Sequence, residues 1–449
     1  MDFNAFQASV ARWAEELGVK DYELYYQSAE STRVGVYRQE VNEFSSAVEG
    51  GVCFRCISGG RMGYSSTEEL SEAAAEDVVR RAVDNAAVLE TDEPVFLGQG
   101  GQQYQSVSCA PAEARSSSGE LIQAALDTQA ALYAAHPSVV DGTSTEGISE
   151  TVRLAIVNSR GLDLHYENTI SGLIAAAVVQ EGEEVSDAYE LKLAALETLD
   201  KQALAAKAVD KARSKLGGEA APTGVCPVIF APEAMASLLA AFSPAFSSDR
   251  AQKGLSRLAG KEGTDLAAPV VTLVDDPFCP LSAMPMPFDA EGTPARKKNI
   301  IEAGRLNTLL YNCRTAAAAG KETTGNASKA DYDAPVDVAP FTFYFAPGER
   351  DEAALLEQAG NGVYIDSLGG LHAGANVVSG DFSLQSAGFL IENGKKTKPV
   401  KAFTVAGNFF ELLQKVVALA DNLEVPNPGG ITAFGSPSVL VDGLSIAGK

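Results

Sequence analysis

The sequence predicts an α+β protein in two domains: residues 1–221, with an antiparallel sheet and helices, and residues 222–449, dominated by mixed or antiparallel β-sheet. Three observations carry that expectation. Stretches of helical period and of period two are segregated along the chain instead of alternating strand by helix, which argues against a doubly wound sheet. The 449 residues are enough for two or three hydrophobic cores. An Ala-rich helical run ends at Gly217-Gly218, and Pro222-Thr223-Gly224 follows, a turn signal suited to a domain boundary.

Element by element, Phe3, Phe6, Val10, Trp13 and Leu17 recur at spacings of three and four, so residues 3–17 read as an amphipathic helix with Asp2 as its cap. From Tyr22 to Ser66 the period is two, and YELYYQS, RVGVYRQ, NEFSSAV, GGVCFRCI and RMGYSS read as strands of a meander turned at Gly59-Gly60. Residues 68–89 return to a helical period. Residues 98–118, rich in Gly, Gln and Ser, read as a linker or extended loop. A helix over 120–135, strands near 150–157, 163–166 and 172–180, and a helix over 201–216 complete the first half. The second half opens with a strand at 227–230 and a helix started by Pro232. Strands are expected at 341–345, 362–366, 389–391, 402–405 and 438–441, with a helix over 409–420.

Composition excludes several function classes. A net charge of −24 argues against a sequence-independent grip on nucleic acid, which needs clustered Lys and Arg against phosphates. No apolar run approaches the roughly 20 residues of a membrane span. The opening MDFNAFQASVARWAEELG has no basic or apolar signal-peptide region, and a cytoplasmic protein is expected. Of six cysteines only Cys53 and Cys56 are close, and in an extended run they point to opposite faces, so free thiols are expected instead of a zinc knuckle or redox pair.

The densest signal lies between Asp275 and Asn326. Asp275-Asp276-Pro277, Phe288-Asp289-Ala290-Glu291-Gly292-Thr293-Pro294 and Thr323-Thr324-Gly325-Asn326 are turn motifs set between apolar runs, and they imply backbone reversals whose polar tips converge. Together with Ile301-Glu302-x-Gly304-x-Leu306, Gly380-Asp381-Phe382-Ser383, Gly388 to Gly394, Pro399-Val400 and Ala406-Gly407-Asn408, in this order, the stretch resembles the C-terminal domain of the TldD/PmbA family. Val41 to Ser45, Gly51 to Ile57 and Gly60 to Gly63 resemble its N-terminal domain, so the likeness covers nearly the whole chain. The family is often labelled a modulator of DNA gyrase, and its members form peptidase complexes.

The resemblance implies a zinc site in the TldD branch: His-Glu-x-x-x-His on the helix after the first C-terminal strand, with a cysteine near the C-terminus. Two imidazoles about one turn apart grip the metal and the glutamate takes a proton from bound water. Alignment on Val228-Ile229-Phe230-Ala231-Pro232 puts these positions at Ala240, Ala241 and Ala245, and Ser243-Pro244 is expected to break the helix there. Residues 427–437 hold no cysteine, and the three histidines, His136, His165 and His372, are far apart. This pattern resembles the PmbA, or TldE, branch: no metal or cofactor held by this chain, zinc supplied by a TldD-like partner, and extended or unfolded peptide as substrate.

The remaining candidates each have two readings. His372, in a glycine-rich bend, either points into a cleft as a catalytic group or is a loop histidine bonded to backbone. Asp289 and Glu291 are either an acid/base pair or carboxylates that close an Asx-type turn. Thr323, Thr324, Gly325 and Asn326, with Gly380 and Asp381, are candidates for substrate or cavity contacts, and the first four are equally a helix-to-loop transition. Two rivals to the paired-subunit reading are a stand-alone hydrolase using His372 with Asp289, Glu291 or Asp381, and a homo-oligomeric peptide-binding protein.

Overall fold

The computed structural model describes residues 1–91 and 94–448. Helix α1 (Phe3–Glu16) begins where the Asp2 carboxylate accepts the Ala5 N–H at 2.8 Å. Strands β1 (Asp21–Tyr37), β2 (Glu40–Ser58) and β3 (Arg61–Thr67) follow, then α2 (Glu72–Val88). After an irregular stretch come α3 (Ser118–Ala135), β4 (Ser144–Asn158), β5 (Asp163–Glu181), β6 (Glu184–Leu193) and α4 (Lys201–Arg213). The six strands form one antiparallel sheet in the order β3-β2-β1-β4-β5-β6.

Alternation along β1 and β2 decides what covers each face of this sheet. Leu24, Val52, Phe54 and Cys56 pack under Phe6 and Val10 of α1 and Val78, Val79 and Ala82 of α2. Val34 and Val36, further along β1, meet Leu121, Ala125 and Leu132 of α3 in a core that α4 also joins. The opposite face, with Tyr25, Cys53, Leu154 and Ile156, is covered by Met284, Met286, Phe288 and Phe341 from the second half of the chain. Cys53 and Cys56 thus sit in different cores, and all six cysteines are free thiols.

From residue 224 the described chain builds two larger sheets and a two-stranded one of Ala327–Ser328 and Asp337–Val338. Strand β7 (Gly224–Phe230) lies inside a six-stranded mixed sheet with Gly362–Gly369, Asp381–Glu392, Lys395–Asn408, Val439–Ala447 and Val416–Leu419. The pairing of Thr404 with Ala447 joins two of these strands a second way and closes the sheet on itself. A five-stranded sheet of Arg305–Leu306, Lys298–Glu302, Leu273–Asp275, Thr342–Phe345 and Ala433–Gly435 carries the turns that meet the N-terminal sheet. Helix α5 (Pro232–Phe242) has proline in its first turn and buries Met235, Leu238, Leu239 and Phe242.

The architecture is mixed α+β with a β-rich C-terminal region, as the segregated periods predict. Four details differ from the sequence reading. The short strands between Tyr22 and Ser58 are halves of two long ones, because β1 and β2 stay in register past residues 29–30 and 48–49. Strand β5 likewise runs unbroken through the two segments expected at 163–166 and 172–180. Strand β6 is an edge strand with polar residues on both faces, a pattern that leaves no clean alternation to read. The helix expected over 409–420 stops at Gln414, and β-branched Val416 pairs with Val441 in the sheet instead. Among the described residues no helix is long and apolar enough to cross a membrane.

Candidate functional site

The three turn motifs do converge. Asp275 is fully buried, with Oδ1 accepting the Phe341 N–H at 2.8 Å. Its Oδ2 receives the Lys298 ammonium at 2.9 Å and the Asn326 side-chain amide at 2.7 Å. Lys298 also donates to Asn326 Oδ1 at 3.0 Å, so a buried charge pair is closed by an amide that satisfies both partners. Next to it Asp276 accepts from Lys297 at 2.8 Å and from the Tyr344 hydroxyl at 3.2 Å. These contacts bind one end of the turn-rich stretch to the other.

Thr323 and Thr324 are used within this knot. Thr323 Oγ1 donates to the Tyr311 carbonyl at 3.0 Å and accepts the Gly325 N–H at 3.1 Å. Thr324 Oγ1 accepts the Tyr311 N–H at 2.7 Å and donates to Asn326 Oδ1 at 2.8 Å. Gly325, at φ 71°, supplies the left-handed residue that the reversal requires.

Asp289 and Glu291 are 2% and 5% exposed. Asp289 Oδ1 accepts the Glu291 and Thr293 N–H groups, both at 2.9 Å, and Oδ2 accepts the Ala327 N–H at 2.9 Å. This is the geometry of an Asx turn with a third strap to the neighbouring segment. Burial and the adjacent Glu291 carboxylate push the Asp289 carboxyl up to about 7, against the three amides that favour its charged form. Glu291 Oε2 accepts the Cys313 N–H at 2.8 Å, and its side chain lines a cavity of about 280 Å³ with Arg55 and Arg314. Arg55 in turn is held by Glu23 at 2.8 Å, a pair buried in the sheet.

A second cavity, of about 290 Å³, opens between the sheet and the turns. Its floor is Tyr25, Gln27, Leu154 and Ile156, brought onto one face by the pairings Tyr25–Ile156 and Gln27–Leu154. Its roof includes Met286, Phe288, Asp289, Phe341 and Ile431, and Lys329 stands at its side. The Lys329 ammonium lies 5.1 Å from the centre of the Tyr25 ring and beside the Cys53 thiol. Burial holds this amine below its usual value, although Cys53, Glu23 and Asp333 pull the other way. Lys329 escaped the sequence reading because a single lysine in Ala-Ser-Lys-Ala carries no spacing signal, and Tyr25 shares its side of the strand with Glu23 and Gln27, a face that gives no sign of being covered.

The other sequence candidates lie elsewhere. His372 is exposed on a short turn, Leu371–Gly374, after the Gly362–Gly369 strand. Among the described residues no hydrogen bond or ion pair joins it to Asp289, Glu291 or Asp381. Asp381 is exposed and accepts from the Asn408 amide at 2.8 Å, and Gly380, at φ 84°, packs against the Phe410 ring. Ala240 and Ala241 end α5, and Ala245 is fully buried in the 3-10 turn Ser243–Phe246 that follows it. These positions present methyl groups, which do not fit a zinc ion. Among the described residues no group of three or more His, Cys, Asp or Glu side chains is placed to hold a metal.

Fold and site define a protein in which a helix-backed antiparallel sheet is clamped onto a β-rich unit through buried carboxylates and a small apolar cavity. The chain belongs to the TldD/PmbA metallopeptidase family: residues 223–448 match the PmbA/TldA metallopeptidase C-terminal domain, 22–86 its domain 1 and 113–216 its central domain. Domain 1 and the central domain contribute to the same six-stranded sheet. A solved structure from Thermotoga maritima, described as a candidate modulator of a DNA gyrase, is 28% identical with a TM-score of 0.89, covering 99% of this chain and 100% of that one. TldE from Thermococcus kodakarensis shares the fold at a TM-score of 0.88 and 24% identity, covering 98% of this chain and 100% of that one. The metalloprotease PmbA homolog of Haemophilus influenzae is 23% identical over 420 residues, 92% of this chain and 88% of that protein.

Proposed function

We propose that this chain is the PmbA/TldE-type subunit of a cytosolic two-component metallopeptidase. A TldD-like partner supplies the zinc ion, and this chain supplies cavity wall, contacts to extended peptide and stability of the assembly. The observation that carries the proposal is the set of methyl groups at Ala240, Ala241 and Ala245, where the TldD branch places His, Glu and His. Helix α5 ends at Phe242, so Ala245 has also left the helical face on which a second imidazole would stand. Similarity to proteins named PmbA and TldE supports the same branch. The stand-alone hydrolase finds no support in the geometry, since Asp289 and Glu291 each hold backbone amides and His372 is exposed without either of them.

On this reading the chain's own contribution to catalysis is binding and orientation. The test is peptidase activity on a casein-like substrate with the chain alone, with a TldD-like protein from the same host, and with a chelator. Cleavage is expected only from the mixture, and the chelator abolishes it. Chelator-sensitive turnover by this chain alone would overturn the proposal.

A further inference from the structure

The cavity between Tyr25 and Phe341 has a chemistry that the fold does not use. Part of its wall is apolar, with Leu154 and Ile156 below and Phe288 and Phe341 above, and Gln27, Asp289, Ser328 and Thr432 supply polar lining beside it. One cation enters it. Among the described residues Lys329 forms no ion pair, and its ammonium is steadied by the face of Tyr25 and by the Cys53 thiol. A half-buried amine with no carboxylate at ion-pair distance, Glu23 and Asp333 acting on it only from farther off, is incompletely compensated, and a bound anion would relieve it. The volume, about 290 Å³, has room for one large amino-acid residue and not for a long acyl chain.

We infer that this cavity takes the C-terminal residue of a peptide, with its carboxylate against the Lys329 ammonium and its apolar side chain between Ile156 and Phe341. The Gln27 side chain, on the same wall, is placed for the last backbone amide. The choice of a peptide over a free small carboxylate rests on the peptidase reading above. A pocket that sets one cation beside an apolar wall selects for both features at once: an amidated end lacks the charge, and a charged last side chain loses the apolar wall. Asp289 borders the same cavity, and a carboxyl that is partly protonated near neutrality repels an incoming carboxylate less than a fully charged one.

The test is equilibrium binding to the full chain, without a partner subunit, of three probes: N-acetyl-Ala-Ala-Leu as free acid, the same peptide as its amide, and N-acetyl-Ala-Glu-Leu amide. The acid is expected to bind about tenfold or more tighter than either amide, the equivalent of one charge-assisted hydrogen bond. Lys329→Met should abolish that preference and Lys329→Arg should keep most of it. Equal binding of acid and amide, no binding of the acid, or an undiminished preference in Lys329→Met would overturn the inference. A Glu-containing amide that binds as well as the acid would overturn the C-terminal assignment. Should Lys329→Met fail to fold, the comparison of acid with amide on the native chain decides by itself. Carboxylate-dependent binding without peptidase activity in the mixture would sink the two-component reading and leave the site; activity without carboxylate dependence would do the reverse.

Discussion

At the residue scale, Asp289 shows how a group that reads as a catalytic acid from its neighbours can be a structural strap. Its two oxygens accept three backbone N–H groups, so a proton on it competes with the turn it closes. The sign of its pH effect follows from the direction of the shift. The carboxyl is raised in the folded chain from an ordinary 3.8 to about 7, so between these values the folded state holds a proton that the unfolded state has lost. Stability from this group is therefore full below about pH 4 and is lost as pH rises through about 7. A carbon-13 titration of the Asp289 carboxyl should give a midpoint near neutrality; a midpoint below 4 would mean that the amide donors outweigh burial and Glu291. Asp289→Asn keeps one acceptor but turns an NH₂ toward the Ala327 N–H, and should destabilise by about 1–3 kcal/mol in chemical denaturation at pH 5. That deficit should shrink by pH 8, where the wild-type carboxylate has paid its full burial penalty.

At the element scale, the sheet is organised by which side of each strand is covered. At Gly63 of β3 helix α2 presses directly on the strand: a Cβ there would collide with the Ala82 carbonyl and stand 2.9 Å from the Ala86 methyl. Gly63→Ala should lower stability by about 1–3 kcal/mol through overpacking. Gly59→Ala, in an open turn at φ 59°, should cost only about 1 kcal/mol, the backbone strain alone. Equal effects in thermal melts would show that α2 does not press on β3. Helices α1, α2, α3 and α4 and the turn at Gly59-Gly60 were legible because caps and periods are local signals. The continuity of β1 through Ser28–Glu30 was not, since the polar residues there are held by cross-strand partners far away in sequence. The end of the 409–414 helix was hidden for a similar reason: Val416 to Leu419 suit helix or strand, and pairing with Val439–Val441 chooses.

At the scale of the whole molecule, the two halves meet through a shared core and a few directed bonds. The Asn168 amide donates to the Ala283 carbonyl at 2.7 Å, and the Tyr104 hydroxyl donates to the Gly292 carbonyl at 2.8 Å. A Cβ at Gly51 would stand 2.5 Å from the Thr67 carbonyl oxygen of the neighbouring strand and 2.6 Å from the Tyr332 ring of the second half. The sequence placed the turn motifs of 275–326 together but did not reveal that they roof the N-terminal sheet. Lys329 and Tyr25 are separated by some three hundred residues, and only the closed interface makes them neighbours. The family was legible from motif order, and the alanines at 240, 241 and 245 are the residues on which the proposed branch rests. The most direct measurement is the zinc content of the chain purified without a partner, incubated with zinc chloride and desalted. The account predicts clearly substoichiometric zinc; one ion retained per chain, released by a chelator together with a peptidase activity, would contradict it.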